Sequence, residues 1–200
     1  MAFDYPIMLD LTGVPVLVVG GGKVALRKIE GLLSAHADVI VVAPVVGNSI
    51  HDLGVRVVVR GYESGDLDAV RLVITATDDA AVNARVSNEA TARGIWVNSA
   101  DDPANCTFTL PAVARDGTVT VAVGTGGSSP ALASHLRAEL QRWLGEIGAA
   151  EAAVTLAEQR IEFRANGVST ESIDWTERVR TALRQLPCVL PSTPEHDKPE

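Results

Sequence analysis

The chain has 200 residues, of which 46% are hydrophobic and 21% are charged, and its formal net charge is −8. This length and composition indicate a folded protein of one or two domains, and the negative charge argues against a nucleic-acid-binding protein. No apolar run approaches the ~20 residues of a membrane span, and a basic signal-peptide start and a disulfide framework are both absent, so we expect a cytoplasmic protein without membrane contact.

A buried strand, a glycine-rich turn and a helix are predicted near the N-terminus. The apolar residues 16 to 19 lead into three glycines, and a helical period follows over residues 23 to 35. Gly20, Gly22 and Ala25 match the G-x-G-x-x-G/A fingerprint of dinucleotide-binding proteins, in which the pyrophosphate lies on the first N–H groups of the helix. The predicted cofactor contacts are Gly20, Gly21, Gly22, Lys23 and Val24. The alternative is a glycine-rich turn without a ligand.

Four further strands and a helix follow. The strands are predicted over residues 38–44, 55–59, 71–77 and 95–98. The helix is predicted over residues 78–93, with Asp78 or Asp79 as its N-cap. Strands that alternate with helices form a parallel, doubly wound α/β sheet, as in Rossmann-type domains.

The ribose of the cofactor lacks its usual acidic partner. Rossmann domains that bind NAD carry Asp or Glu roughly 20 residues beyond the glycines, but the second strand ends in Ala43 and Pro44. No basic residue for a 2′-phosphate lies nearby either. NAD is therefore predicted, held by backbone groups at Pro44 and Val45 or by Thr77 and Asp78. Helix capping is the alternative role of Thr77 and Asp78.

The pattern changes after residue 98. Residues 108–123 form two strand-like runs around Asp116 and Gly117, a pair of residues typical of hairpin turns. A loop rich in glycine and serine then leads into a helix over residues 130–144, with Ser129 as its N-cap. The apolar face of this helix consists of Leu132, Leu136, Leu140 and Trp143. Two more helices are predicted over residues 149–164 and 170–186, followed by a disordered tail.

The four histidines give no metal signature. No pair of them has metal-ligand spacing, and Cys and His do not cluster, so no bound metal is predicted and iron is expected only as a substrate. His135, on the helix after the hairpin, is the one histidine near the predicted site.

Five motifs occur in register along residues 5–145. They are residues 19–25 (VGGGKVA), 76–79 (ATDD), 97–103 (VNSADDP), 108–111 (FTLP) and 126–130 (GGSSP). In this order and spacing the chain resembles precorrin-2 dehydrogenase, the dehydrogenase/ferrochelatase module of siroheme synthases.

The resemblance implies that the chain oxidises precorrin-2 to sirohydrochlorin with NAD. Some members of the family then insert Fe²⁺ into the product, and the sequence leaves open whether this chain does so. It implies a Rossmann domain over residues 1–113, followed by a segment over 114–145 that forms a homodimer. A small helical domain over 146–187 and a disordered tail over 188–200 complete the predicted organisation.

Asp101 corresponds to the catalytic Asp of this family. A reduced tetrapyrrole that loses hydride must also lose protons, and a carboxylate at the end of a parallel strand can accept them. The alternative is that Asp101, Asp102 and Pro103 form an ordinary turn.

The polycarboxylate substrate needs cationic or N–H partners. The candidates are the loop with Ser128 and Ser129 at a helix start, and the side chains of Arg115 and Arg137. The alternatives are a helix cap for Ser129 and solvated surface charges for both arginines.

Two other function classes fit a dinucleotide fold. One is a non-catalytic NAD-binding redox sensor, and the other is an NAD-dependent reductase of another small substrate. A sensor usually keeps the acidic ribose ligand and adds a DNA-binding or channel-gating domain, and the chain has neither that acid nor a basic face.

Overall fold

The computed structural model describes residues 5–184, and the predicted tail over 188–200 lies outside them. Two compact units divide between Leu110 and Pro111. None of the helices within residues 5–184 combines the length and the apolar composition that crossing a membrane requires.

The first unit contains a five-stranded sheet. Its strands are β1 (Pro15–Val19), β2 (Asp38–Ala43), β3 (Arg56–Val59), β4 (Leu72–Thr75) and β5 (Trp96–Ser99). They lie in the order β3-β2-β1-β4-β5, and every neighbouring pair is parallel. The strand order reverses between β1 and β4, and this switch point is where doubly wound sheets bind their ligands, at the carboxyl ends of the strands.

Three helices connect these strands. They are α1 (Lys23–Leu33), α2 (Asn48–His51) and α3 (Ala80–Ala92). Short 3-10 helices cover Ser64–Leu67 and Pro103–Asn105. The sequence predicts α1 and α3 but neither α2 nor the 3-10 helices, because three or four residues are too few to display a helical period.

The side chains of β1 alternate between two cores. Val18 packs with Ile29 of α1 on one face of the sheet, whereas Leu17 packs with Val86 of α3 on the other. All four side chains are buried, and full burial of an aliphatic side chain stabilises the fold by about 1.5–3 kcal/mol. Covered on both faces, β1 fixes the position of the glycine turn that follows it. The predicted parallel, doubly wound α/β fold is confirmed.

The second unit begins with the hairpin. Strands β6 (Ala112–Asp116) and β7 (Val119–Val123) pair antiparallel, and Asp116 lies opposite Val119. The loop is therefore Gly117 and Thr118, one residue later than the predicted Asp-Gly pair. Gly117 has a φ of 55°, which suits glycine at the first position of a type II′-like turn.

Three helices complete the described part of this unit. They are α4 (Pro130–Ile147), α5 (Ala149–Ala165) and α6 (Thr176–Ala182). Ala114 of β6 is buried against Leu144 and Ile147 of α4, so the hairpin and α4 form one small core. Gly148 joins α4 to α5 in the left-handed conformation that favours glycine.

The predicted helix over residues 170–186 is wrong at its start, and it also ends earlier than predicted, because α6 stops at Ala182 and Leu183 is extended. Residues 170–175 form turns, in which the indole N–H of Trp175 donates to the Thr170 carbonyl at 3.0 Å. The Asp174 carboxylate accepts the Thr176 N–H at 2.8 Å. These local bonds compete with the helical pattern, so the helix begins only at Thr176.

Candidate functional site

The turn between β1 and α1 accepts only glycine at its first two positions. Gly20 has a φ of 134°, and a Cβ there would collide with the Ala76 carbonyl. A Cβ on Gly21 would collide with the Val45 carbonyl in the same way. Gly22 differs, because nothing lies within 4 Å of the Cβ it lacks. Gly20 and Gly21 therefore pack the turn against β4 and the loop after β2, and Gly22 presents open backbone to solvent.

The N-terminus of α1 has no side-chain cap. Gly22 is the N-cap residue, and no side chain bonds to the first N–H groups of this 11-residue helix. Lys23 and Val24 occupy its first two positions. Unpaired N–H groups and the positive end of the helix dipole form a site for an anion. The predicted cofactor residues from Gly20 to Val24 thus lie together and fit a dinucleotide pyrophosphate.

The loop after β2 lies beside the glycine turn. The Gly47 N–H donates to the Gly21 carbonyl at 3.0 Å, and both Pro44 and Val45 are exposed. Residues 39–50 include no Asp, Glu, Lys or Arg. The polar groups available to a ribose in this loop are therefore backbone groups and the neutral side chains at the start of α2.

Thr77 and Asp78 occupy different environments at the start of α3. The Thr77 hydroxyl lies 2.7 Å from the Asn83 side-chain oxygen, and the Asn83 amide donates back to the Thr77 carbonyl at 2.9 Å. The N-cap of α3 is Asp79, whose carboxylate accepts the N–H groups of Ala81 and Val82. Thr77 thus takes part in the capping network, whereas Asp78 is exposed and contributes nothing to the cap.

A tight turn places Asp101 at the carboxyl end of β5. Asp101 is exposed and has a φ of 60°, in the left-handed region that Asp adopts more readily than most residues. Its carboxylate accepts no hydrogen bond within residues 5–184. By contrast, the Asp102 carboxylate accepts the side-chain amide of Asn105 at 2.6 Å. The two neighbouring acids are therefore not equivalent.

Buried polar groups lie beneath this turn. The Thr75 hydroxyl donates to the Ser99 hydroxyl at 3.0 Å, joining the ends of β4 and β5. Asn98 donates to the Phe108 carbonyl at 3.0 Å, but its own buried side-chain oxygen has no partner within residues 5–184. The Cys106 thiol is buried in the same region, and burial raises its pKa. The thiol therefore stays neutral at ordinary pH.

Lys28 brings a positive charge from α1 toward this turn. Its side chain is half-buried, and burial lowers the pKa of the ammonium group, while the negative charge of Asp101 acts in the opposite direction. The sequence predictions missed Lys28, Asn98 and Cys106 as parts of this region. Two of them could have been found from their positions in the sequence. Lys28 lies one helical turn beyond Val24 in the predicted helix, and Asn98 lies at the end of a predicted buried strand.

The remaining predicted residues lie in the second unit. The Ser129 hydroxyl accepts the Leu132 N–H at 3.2 Å and so caps α4, and the Ser128 hydroxyl donates to the Thr125 carbonyl at 2.6 Å. Arg115, on β6, is exposed, and its backbone N–H and carbonyl bond to the Gln141 side chain. Arg137 and the exposed His135 lie on α4. Ser128 and Ser129 share one loop, while the arginines lie on separate elements.

No group of three His, Cys, Asp or Glu residues within residues 5–184 could hold a metal ion.

A family model described as “Putative NAD(P)-binding” matches residues 7–112, more than half of the chain. The chain belongs to this NAD(P)-binding family. The match includes both the glycine turn and the Asp101 turn, and it confirms a nicotinamide dinucleotide as the cofactor.

Curated relatives match this NAD(P)-binding chain over most of its length. The siroheme synthase of Pseudomonas entomophila strain L48 is 48% identical over 146 residues, which make up 70% of this chain and 32% of that protein. The siroheme synthase of Ectopseudomonas mendocina strain ymp is 46% identical over 141 residues, 70% of this chain and 30% of that protein. The chain thus spans about a third of the length of these relatives.

A solved structure matches nearly end to end. The structure named “SirC, precorrin-2 dehydrogenase” is 29% identical, with a TM-score of 0.72 over 88% of this chain and 96% of that chain. Together with the siroheme synthases, it confirms the family resemblance predicted from the five motifs.

Proposed function

We propose that the chain catalyses the NAD-dependent dehydrogenation of precorrin-2 to sirohydrochlorin, a step in siroheme formation. The observation that carries this proposal is the likeness to the precorrin-2 dehydrogenase SirC, which extends over 96% of that chain. The siroheme synthase relatives support the same reaction, and the first unit supplies the dinucleotide site that such an oxidoreductase needs.

The glycine turn would hold the cofactor. The open side of Gly22 gives the pyrophosphate access to the backbone, and the N–H groups of Lys23 and Val24 would donate to it. Bound NAD supplies the acceptor for a hydride. Because residues 39–50 carry no acidic side chain, backbone groups at Pro44 and Val45 would hold the ribose, with Thr77 and Asp78 as further contacts from the end of β4.

Asp101 would act as the general base of the dehydrogenation. Its carboxylate is exposed at the carboxyl end of β5 and accepts no hydrogen bond within residues 5–184, so its lone pairs are available for a proton. Asp102 is a poorer candidate, because Asn105 already donates to its carboxylate.

The carboxylates of the tetrapyrrole would bind groups of the second unit. The Ser129 hydroxyl accepts a hydrogen bond as the cap of α4, and its own proton remains available to a substrate carboxylate. Ser128 lies in the same loop at the positive end of an 18-residue helix. Arg115 and Arg137 would contribute the positive charges.

The proposed reaction is tested by mixing the purified chain anaerobically with precorrin-2 and NAD. The expected result is the absorbance spectrum of sirohydrochlorin together with one NADH for each tetrapyrrole oxidised. A folded chain that binds NAD but leaves precorrin-2 unchanged contradicts the proposal and favours the redox sensor. Turnover of NADH with another small substrate would instead favour the reductase.

Iron insertion is a second proposed activity, supported by the name siroheme synthase that the curated relatives carry. Supplying the chain with sirohydrochlorin and Fe²⁺ without NAD tests it, with siroheme formation above the uncatalysed rate as the expected result.

We also propose a cytoplasmic location and a homodimer formed through the exposed apolar residues of α4.

A further inference from the structure

One sulfur atom joins both ends of the turn that carries Asp101. The Cys106 thiol accepts the Ser99 N–H at 3.1 Å, at the point where β5 ends. The same sulfur lies 3.3 Å from the Ser99 carbonyl and 3.3 Å from the Asp102 carbonyl. The thiol therefore contacts the residues on either side of the segment that contains Ala100 and Asp101.

This segment has few other bonds to keep its shape. The Ala100 N–H donates to the Thr75 carbonyl at 2.9 Å, and the Asp102 N–H donates to the Ser99 carbonyl at 3.3 Å. Between these bonds Asp101 adopts a φ of 60°, and a non-glycine residue in this region costs free energy unless its surroundings hold it there. Within residues 5–184 the exposed side chain of Asp101 accepts no hydrogen bond that could supply the restraint.

We propose that Cys106 is a positioning residue, whose thiol holds the Ser99–Asp102 turn closed and thereby fixes the direction of the Asp101 carboxylate. This inference rests on the proposed dehydrogenation and on the role of Asp101 in it. Cys106 is buried, so the role proposed for it is exerted through Asp101 and not by direct contact with cofactor or substrate.

A neutral thiol suits this position chemically. It accepts the Ser99 N–H and donates its single hydrogen to one of the two carbonyls, which also accept the backbone N–H groups of Asp102 and Asn105. Valine has a similar volume but can do neither, and the turn would then depend on its backbone hydrogen bonds to Ser99 and Thr75. Serine keeps both the donor and the acceptor at a slightly shorter reach.

The test compares Cys106→Val and Cys106→Ser in the full-length chain. The matched control is Ser87→Ala, which removes a 2.7 Å hydrogen bond to the Asn105 carbonyl beside the same turn but leaves the sulfur contacts intact. For each variant, kcat and KM for precorrin-2 are measured with saturating NAD, together with NAD affinity and the melting temperature.

A misplaced catalytic group can cost about 10²-fold, so we expect Cys106→Val to lower kcat about 10- to 100-fold. Its KM for precorrin-2 and its NAD affinity are expected to stay within about twofold, since neither depends on the direction of the carboxylate. Cys106→Ser should recover kcat to within about threefold of the unmodified chain, and Ser87→Ala should keep kcat within about threefold.

A double-mutant cycle with Asp101→Asn separates positioning from a general loss of structure. If Cys106 acts through Asp101, Cys106→Val has no further effect on kcat once the carboxylate is gone. Should Cys106→Val fail to bind NAD, Cys106→Ala takes its place in the cycle. If neither variant binds NAD, the thiol is a requirement for folding and the positioning role is overturned.

The other outcomes of these experiments overturn either the role of Cys106 alone or the proposed function as well. Equal kcat losses in Cys106→Val and Ser87→Ala, no rescue by serine, or additive losses in the cycle each overturn the inference. An unmodified chain that fails to oxidise precorrin-2 overturns the proposed function and this inference together. An active chain whose Cys106 variants keep their kcat overturns the inference alone.

Discussion

The two units of the chain bury their apolar side chains to different degrees. In the first unit the central strands are covered on both faces, and Leu17, Ile29 and Val86 are at most 1% exposed. In the second unit α4 leaves Leu132 at 48%, Leu136 at 39% and Trp143 at 46% exposure. The central strands of the first unit can thus hold a site rigidly, whereas α4 of the second unit presents three exposed apolar side chains along its length.

The largest effect is expected from a charge in the glycine turn of the first unit. Gly22 has open space at its missing Cβ and an ordinary φ of −92°, so Gly22→Asp should fold normally. Its carboxylate would occupy the place of the pyrophosphate and repel it, and like charges in contact cost several kcal/mol. We expect NAD affinity to fall at least about 100-fold and turnover to disappear.

Calorimetric titration with NAD measures this change. Gly22→Ala is the matched control, because it adds a Cβ without charge, and it should lose far less affinity. Normal NAD affinity in a folded Gly22→Asp variant would show that the glycine turn is not the cofactor site.

The next effect concerns the apolar face of α4. If this face is covered by a second copy, Leu136→Asp should weaken self-association at least about tenfold, because one buried leucine contributes about 1.5–3 kcal/mol. Light scattering across micromolar concentrations measures the mass of the particle. Val59→Asp serves as the control, since Val59 is 62% exposed on β3 of the first unit. A monomeric unmodified chain would contradict the proposed dimer.

A smaller effect is expected at a polar contact inside the first unit. The Tyr62 hydroxyl donates to the Glu89 carboxylate at 2.7 Å, and the Tyr62 ring is buried. Tyr62→Phe removes the hydrogen bond and keeps the ring, so the free energy of unfolding should fall by about 1 kcal/mol. Urea denaturation measures it, and NAD affinity should stay unchanged. If the free energy of NAD binding falls by more than the free energy of unfolding, this contact supports the cofactor site.

The same contact predicts a pH dependence. Hydrogen bonds from Tyr62, Ser64 and Arg85 lower the pKa of Glu89 from 4.5 to about 2. A carboxylate with a lowered pKa stabilises the folded state above its unfolded pKa, and this contribution is lost as the pH falls through the folded value. The stability difference between the unmodified chain and Glu89→Gln should therefore shrink as the pH falls from 4.5 toward 2. A stability difference that stays constant from pH 4.5 to pH 2 would contradict the lowered pKa of Glu89.

The sequence predicted those features that depend on local pattern. Apolar runs located the strands, the glycines located the turn after β1, and Ser129 and Pro130 located the start of α4. Residues whose roles depend on distant contacts escaped prediction. Cys106 bonds to Ser99 across seven positions, and Lys28 on α1 faces a turn more than 70 positions away, so no periodicity connects either to Asp101. The requirement for glycine at position 21 likewise could not be predicted, because it comes from the Val45 carbonyl on another loop.

The central claim is that the Asp101 carboxylate of the first unit accepts the proton that precorrin-2 loses together with the hydride. The steady-state kcat of Asp101→Asn tests this claim most directly. The amide is nearly isosteric, so NAD affinity should be retained while kcat falls about 10²- to 10⁴-fold, the usual contribution of general acid–base catalysis. Asp102→Asn, the matched control, should lose about tenfold or less, because that carboxylate is already engaged by Asn105. A normal kcat in Asp101→Asn, whether or not Asp102→Asn is active, would contradict the account.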